Sequence, residues 1–160
     1  MLSQETILMV EDDPDDALLI QRALQKAGLR HPVKIVRDGD QAIAYLSGQG
    51  DYADRERYPL PFLVLLDLRM PGTDGFDVLQ WARQEPALKR LLIVVLTSSN
   101  VQSDVDRAYD LGANSYLVKP VDFEEMVNML KRFEVYCMEI NRTPTTPVLV
   151  QPAVPESSLS

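Results

Sequence analysis

An α/β domain on a five-stranded parallel sheet is the fold this sequence predicts. Two observations carry it. Short apolar runs alternate with amphipathic stretches five times along the chain, and the third and fourth runs are apolar throughout. Continuous apolar strands are buried on both faces, as parallel sheets with helices on each side require.

The elements follow in order. Ile7-Leu8-Met9-Val10 reads as the first strand and ends in acid. A helix begins at Pro14, a residue suited to a first turn. It carries Ala17, Leu18, Ile20, Leu24 and Ala27 at helical spacing and stops at Gly28. Val33 to Val36 is the second strand, and Asp38 to Leu46 a helix through Ala42, Ile43 and Leu46. Residues 48–61 are polar and turn-rich and read as a surface insertion. Phe62 to Leu66 is the most hydrophobic strand, and a helix from Phe76 to Arg83 ends near Pro86. Leu91 to Leu96 is the fourth strand, Gln102 to Leu111 a helix stopped by Gly112, and Ser115 to Val118 the last strand. Asp122 caps a long final helix reaching about Ile140. Right-handed crossovers and five such pairs fit a doubly wound, flavodoxin-like sheet in the order 2-1-3-4-5. Its ligand crevice lies at the carboxyl ends of the strands.

Residues 1–140 therefore form one domain, and 141–160 a Pro-rich tail holding Pro144, Pro147, Pro152 and Pro155. The tail reads either as disordered or as an arm that packs Val148-Leu149-Val150 on itself or a partner.

The chain has 160 residues, 46% of them hydrophobic and 25% charged, which suits a packed core. Its net charge of -8 repels a phosphate backbone, so no nucleic-acid partner is expected. The single cysteine, Cys137, cannot form an internal disulfide and reads as a packing residue on the last helix. The N-terminus lacks signal-peptide character, and the apolar runs are too short to cross a bilayer. The expectation is a soluble cytoplasmic protein with no membrane partner.

The topology asks what stands at each strand's carboxyl end. Glu11, Asp12 and Asp13 follow the first strand and Asp67 the third. Thr97 and Ser98 follow the fourth, and Lys119-Pro120 the fifth. All converge on one edge. Clustered carboxylates repel one another and call for a cation. Hard oxygen ligands suit Mg²⁺. An aspartate can serve as nucleophile and form an aspartyl-phosphate, with Lys119 supplying charge and Thr97 or Ser98 a hydrogen bond. Asp13, Asp15 and Asp16 read as an ordinary acidic helix start. His31, before Pro32, has no acid–base partner in sequence and reads as structural. Trp81 is placed near the core or its rim.

These residues resemble the receiver domain of bacterial response regulators. The match lies in Val10-Glu11-Asp12-Asp13, in Leu65-Leu66-Asp67-Leu68-Arg69-Met70-Pro71-Gly72-Thr73-Asp74-Gly75, in Leu96-Thr97-Ser98, and in Lys119-Pro120. It covers about residues 5–135. The resemblance implies that Asp67 is the phosphoacceptor, in a reaction the domain itself assists, as it assists dephosphorylation. It implies that Asp12 ligates Mg²⁺ directly, that Glu11 holds it through water, and that the Arg69 backbone carbonyl completes the protein ligands. Thr97 becomes the switch hydroxyl, Tyr116 the aromatic that turns with it, and Lys119 the cation on the phosphoryl group. In this family the Lys-Pro bond is usually cis, which is expected at Lys119–Pro120. The insertion, the spelling of the loop after Asp67 and the long last helix are similar to single-domain response regulators paired with phytochrome-type histidine kinases. A sensor histidine kinase is the implied partner.

Alternative readings differ in class. A phosphatase of the haloacid-dehalogenase type also uses a strand-end Asp, but resembles others of its kind in a second Asp two residues on, where this chain has Arg69. A DNA-binding regulator needs more than the 20 residues from Asn141 to Ser160. A degenerate receiver that only binds is disfavoured by the complete acid, Thr and Lys set. Without an output domain, the surface must carry the signal. The last helix has a core stripe of Phe123, Met126, Val127 and Leu130. A second stripe at Met129, Phe133, Tyr136 and Ile140 predicts a homodimer interface, a kinase docking site or a seat for the tail.

Overall fold

The computed structural model describes residues 5–140, with side chains to Cys137. The tail and the side chain of Ile140 lie outside the described residues. Five parallel strands form one sheet in the order β2-β1-β3-β4-β5. They are β1 (Ile7–Val10), β2 (Val33–Val36), β3 (Leu63–Leu66), β4 (Leu92–Thr97) and β5 (Ser115–Val118). The helices between and after them are α1 (Pro14–Lys26), α2 (Gly39–Ser47), α3 (Gly75–Gln84), α4 (Gln102–Asp110) and α5 (Phe123–Glu134). The predicted order and the doubly wound class both hold.

The period-two alternation of each strand feeds two cores. Leu63 and Leu65 of β3 join Ile7, Met9, Val94 and Leu96 beneath Ile20 and Leu24 of α1 and Val127 and Leu130 of α5. Val64 and Leu66 face the other way, with Leu8, Val10, Ile93 and Val95, against Leu46 of α2, Phe76 and Leu79 of α3 and Ala108 of α4. Each fully buried aliphatic or aromatic side chain contributes on the order of 2 kcal/mol, so the central strands anchor the fold.

Helix starts follow the sequence. Asp13, Asp38, Asp74 and Asp122 are N-caps whose side chains accept backbone N–H bonds. Asp74 and Asp77 complete a capping box. The structure departs from the expectation at the last helix. Its α-helical part ends at Glu134, and Val135–Ile140 continues as a wider π-helical turn. Apolar spacing alone does not distinguish these two windings.

The stretch 48–61 is more than a loose loop. A 3₁₀ turn at Gly50–Tyr52 follows Gly48, which sits in the left-handed region at φ 69°. Arg55 donates to the carbonyl oxygens of Tyr45, Leu46 and Tyr58 at 2.7–3.1 Å. Tyr45, Tyr52 and Tyr58 stack on one another at centroid separations of 5.1–6.0 Å. His31 Nδ1 lies 3.0 Å from the Glu5 carbonyl oxygen and its ring packs on Phe62. Trp81 is half-buried against the core.

Candidate phosphoryl-acceptor and metal site

Register builds the site. Val10 pairs with Leu66, so the residues that follow, Glu11 and Asp67, emerge side by side. Their backbones are fixed at the same point: the Glu11 N–H donates to Val36 O, and the Asp67 N–H to Val10 O, both at 3.0 Å. Thr97 pairs with Val118, and the Lys119 N–H donates to Thr97 O at 2.7 Å. Four strands thus deliver their terminal residues to one edge.

Glu11, Asp12 and Asp67 each bring a carboxylate oxygen within 4.8 Å of the others. Glu11 and Asp67 are buried, and Asp12 is half-buried. Lys119 is the pocket's cation. Its Nζ lies 2.6 Å from Glu11 Oε2, 3.3 Å from Asp16 Oδ2 and 3.6 Å from Asp67 Oδ2. Burial pushes the Glu11 carboxyl up to about 7 and Asp67 adds repulsion, although the Lys119 ammonium pulls the other way. The Lys119 ammonium is itself held above its ordinary range. Burial works against its charge, but the Glu11 hydrogen bond and the charges of Asp67, Glu11 and Asp16 outweigh that.

Thr97 is fully buried, and its hydroxyl has no hydrogen-bond partner among the described residues. Such a group costs free energy, commonly a sign that it serves another state of the protein. Ser98, the other hydroxyl named from sequence, is exposed. The donor set fits a divalent cation: all oxygen, clustered, and carrying more negative charge than one lysine neutralises. The orphaned Thr97 hydroxyl fits an incoming oxyanion at the same edge.

The loop after β3 is tightly pinned. The Arg69 N–H donates to Asp67 Oδ1 at 3.4 Å, and the Gly75 N–H to Leu68 O at 3.0 Å. A Cβ on Gly75 would overlap the Asp67 carbonyl oxygen, so only glycine lets α3 start this close to the acid. Gly72 turns the loop at φ 75°.

Three sequence expectations change. The Lys119–Pro120 bond is trans, not cis. Trans is the lower-energy form of most X–Pro bonds, and the lysine reaches Glu11 from it. Asp16, read as part of a solvated helix start, is a further partner of Lys119. It stands one helical turn after Asp12, the spacing that could have signalled it. The second stripe on the last helix is not a free surface: Phe133 is buried and Met129 packs against the core, while Tyr136 is exposed. The sequence marks Arg69 and Tyr116 but not Asp104 and Ser99, the neighbours that link them. Arg69 Nη2 lies 2.5 Å from Asp104 Oδ2, Ser99 Oγ donates to the same oxygen at 2.6 Å, and the Tyr116 hydroxyl donates to Ser99 O at 2.9 Å. Donation from Ser99 and Arg69 holds the Asp104 carboxyl below the usual range. No spacing rule links residues 35 apart.

Known proteins resemble the chain in sequence and in fold. The family profile "Response regulator receiver domain" matches residues 7–131. Response regulator Rcp1 of Synechocystis sp. is 40% identical over 135 residues, covering 84% of this chain and 90% of that protein. The crystal structure of the phosphorylated cyanobacterial phytochrome response regulator RcpA superposes with a TM-score of 0.81 at 36% identity, covering 89% of this chain and all of the other. The Mn²⁺-bound form of Rcp1 superposes at 0.77 with 39% identity, over 88% of this chain and 99% of that one. No helix among the described residues is long and apolar enough to cross a membrane. With five strands in this order and these acids at their ends, the chain belongs to the response regulator receiver domains of two-component signalling.

Proposed function

We propose that Asp67 accepts a phosphoryl group from a sensor histidine kinase in a Mg²⁺-dependent reaction, and that the domain assists both this step and its reversal by hydrolysis. The observation that carries the reading is the meeting of Glu11, Asp12, Asp67, Lys119 and an unpartnered Thr97 hydroxyl at one sheet edge. Glu11, Asp12, Asp67 and the Arg69 backbone carbonyl would hold the metal, which would neutralise charge on the transferring group. An Asp67 oxygen attacks phosphorus, the P–N bond to the kinase histidine breaks, and its electron pair leaves with the imidazole. Lys119 balances the charge left on the acyl phosphate, and the Thr97 hydroxyl turns to donate to it.

A kinase of the phytochrome type is the proposed partner, supported by the similarity to RcpA, described as a phytochrome response regulator. The cell compartment is the cytoplasm, where such a kinase domain would meet it. Output passes through a second copy of the chain, across the face of α4, β5 and α5. This is supported by Val101, Tyr109, Val118 and Tyr136, apolar or aromatic side chains that stand exposed along it. Met129 and Phe133 lie beneath this face.

The test is exposure of the full chain and of Asp67→Asn to a small phosphodonor with Mg²⁺, read by intact mass and peptide mapping. The parent gains one phosphoryl group and the variant none. A variant that gains as much as the parent overturns the assignment.

A further inference from the structure

The acceptor loop is tied to α4 by one charged contact. Arg69 Nη2 meets Asp104 Oδ2 at 2.5 Å, and that oxygen also accepts from Ser99 Oγ at 2.6 Å. Asp104 is among the few buried charged residues and stands in the first turn of α4. Helix α4 needs the tether. Its N-cap, Val101, offers no side-chain hydrogen bond, and only Asp104 and Ala108 of the helix are buried. By contrast α1 buries Ala17, Ile20, Ala23 and Leu24, and α5 buries Met126, Val127, Leu130 and Phe133. Elements with so little buried apolar surface open at the lowest free-energy cost.

The other end of the tether is free to move. The Arg69 side chain is 63% exposed, and its guanidinium lies 5.9 Å from the Phe76 ring centroid. The same ring already carries Arg107 at 4.1 Å. Arg69 can therefore leave Asp104 without disturbing the core. Its backbone N–H already touches Asp67 Oδ1.

Resting on the reading of Asp67 as phosphoacceptor, we infer that Arg69 and Asp104 form a charge latch that holds the start of α4 to the acceptor loop, and that phosphorylation opens it by drawing the Arg69 guanidinium onto the phosphoryl group. The chemistry favours the exchange. Phosphorylation changes the Asp67 side chain from one negative charge to about two and adds three acceptor oxygens. A guanidinium fork matches such a group with two parallel bonds. Asp104 offers Arg69 a single oxygen that it already shares with Ser99. Ser99 in turn accepts the Tyr116 hydroxyl at its carbonyl, so loss of Arg69 loosens the contact that positions the aromatic side chain on β5. Thr97 supplies the pull on the loop after β4, and the latch sets the resistance to it.

The test is a double-mutant cycle on the full chain with Arg69→Gln and Asp104→Asn. It is read by amide hydrogen exchange over the first turn of α4, with and without a small phosphodonor and Mg²⁺. Intact mass reports the extent of phosphorylation in each sample. Without phosphodonor, each single variant speeds exchange on the order of fivefold, and the double variant adds little. The phosphorylated parent reaches the same rate, and the two substitutions no longer interact. Arg69→Lys, a milder change, keeps the tether before phosphorylation but releases it less completely, since an ammonium lacks the fork. A non-additivity that persists unchanged in the phosphorylated protein overturns the latch and leaves a purely structural ion pair. So does a full exchange response to phosphorylation in Arg69→Gln. Both outcomes require a normal mass gain and so count against the latch alone. Absence of any mass gain on Asp67 in the parent overturns the acceptor assignment and the latch with it.

Discussion

The Lys119 ammonium lies closer to Glu11, at 2.6 Å, than to the proposed acceptor Asp67, at 3.6 Å. The lysine's nearest partner is thus Glu11, the most deeply buried acid of the cluster. Even so, burial raises the Glu11 carboxyl to about 7.

That value predicts a proton-linked metal site. Glu11 must shed its proton to help hold a divalent cation, so metal affinity falls as pH drops through 7. One competing proton makes Mg²⁺ binding about tenfold weaker at pH 6 than at pH 8. Calorimetric titrations at several pH values check this, and Glu11→Gln flattens the profile. An affinity that ignores pH in the parent contradicts it. The same raised value has a consequence for stability without metal. The contribution from Glu11 is fully present below pH 4.5, the ordinary value, and is lost as pH rises through about 7.

Thr97→Val separates the resting state from the signalling state. Valine keeps the shape of threonine and removes a buried hydroxyl that has no partner. The unphosphorylated domain therefore gains about 1 kcal/mol, or at worst loses nothing. The variant still accepts a phosphoryl group and still loosens the first turn of α4 through Arg69, but shows a smaller change in amide exchange over β5 than the parent. Urea denaturation measures the first effect and hydrogen exchange the second.

Gly75→Ala forces a methyl group into the Asp67 carbonyl oxygen. Backbone cannot yield there without moving the acceptor, so the substitution costs about 3 kcal/mol or more, or slows phosphorylation by displacing Asp67. Thermal unfolding together with a phosphorylation time course distinguishes the two. A variant matching the parent in both contradicts the geometry.

Much of this was legible in the chain. The apolar runs at Ile7–Val10, Leu63–Leu66 and Leu92–Leu96 announce strands because parallel pairing buries both faces. Once the strand order is known, residues just past the strand ends must meet, and Glu11, Asp12, Asp67 and Lys119 do, with Thr97 closing the neighbouring β4. What stayed hidden depends on distances that sequence does not encode. Asp104 reaches Arg69 only because α4 and the loop after β3 are laid side by side. Phe133 looked like part of a free stripe because helical spacing shows which residues share a face but not how wide a face the sheet can cover. Arg55 read as one more polar loop residue, since nothing local reveals three carbonyls waiting for it.

Arg55→Ala, by this logic, takes the guanidinium donor from the carbonyls of Leu46 and Tyr58, while Tyr45 O keeps the Gly48 N–H, and costs about 2 kcal/mol, seen as a lower urea midpoint.

The knot around Arg55 also decides how the domain can be remodelled. Segments inserted between elements are usually treated as removable trim, fit to be shortened or swapped for a fusion partner. Here Tyr52 and Tyr58 roof Tyr45, a fully buried core residue, and the Tyr45 hydroxyl donates to Pro59 O at 2.8 Å. Excising residues 48–61 would unroof the core beside α2. Grafts belong elsewhere, and a chimera that keeps this stretch intact should survive where one cut across it would not.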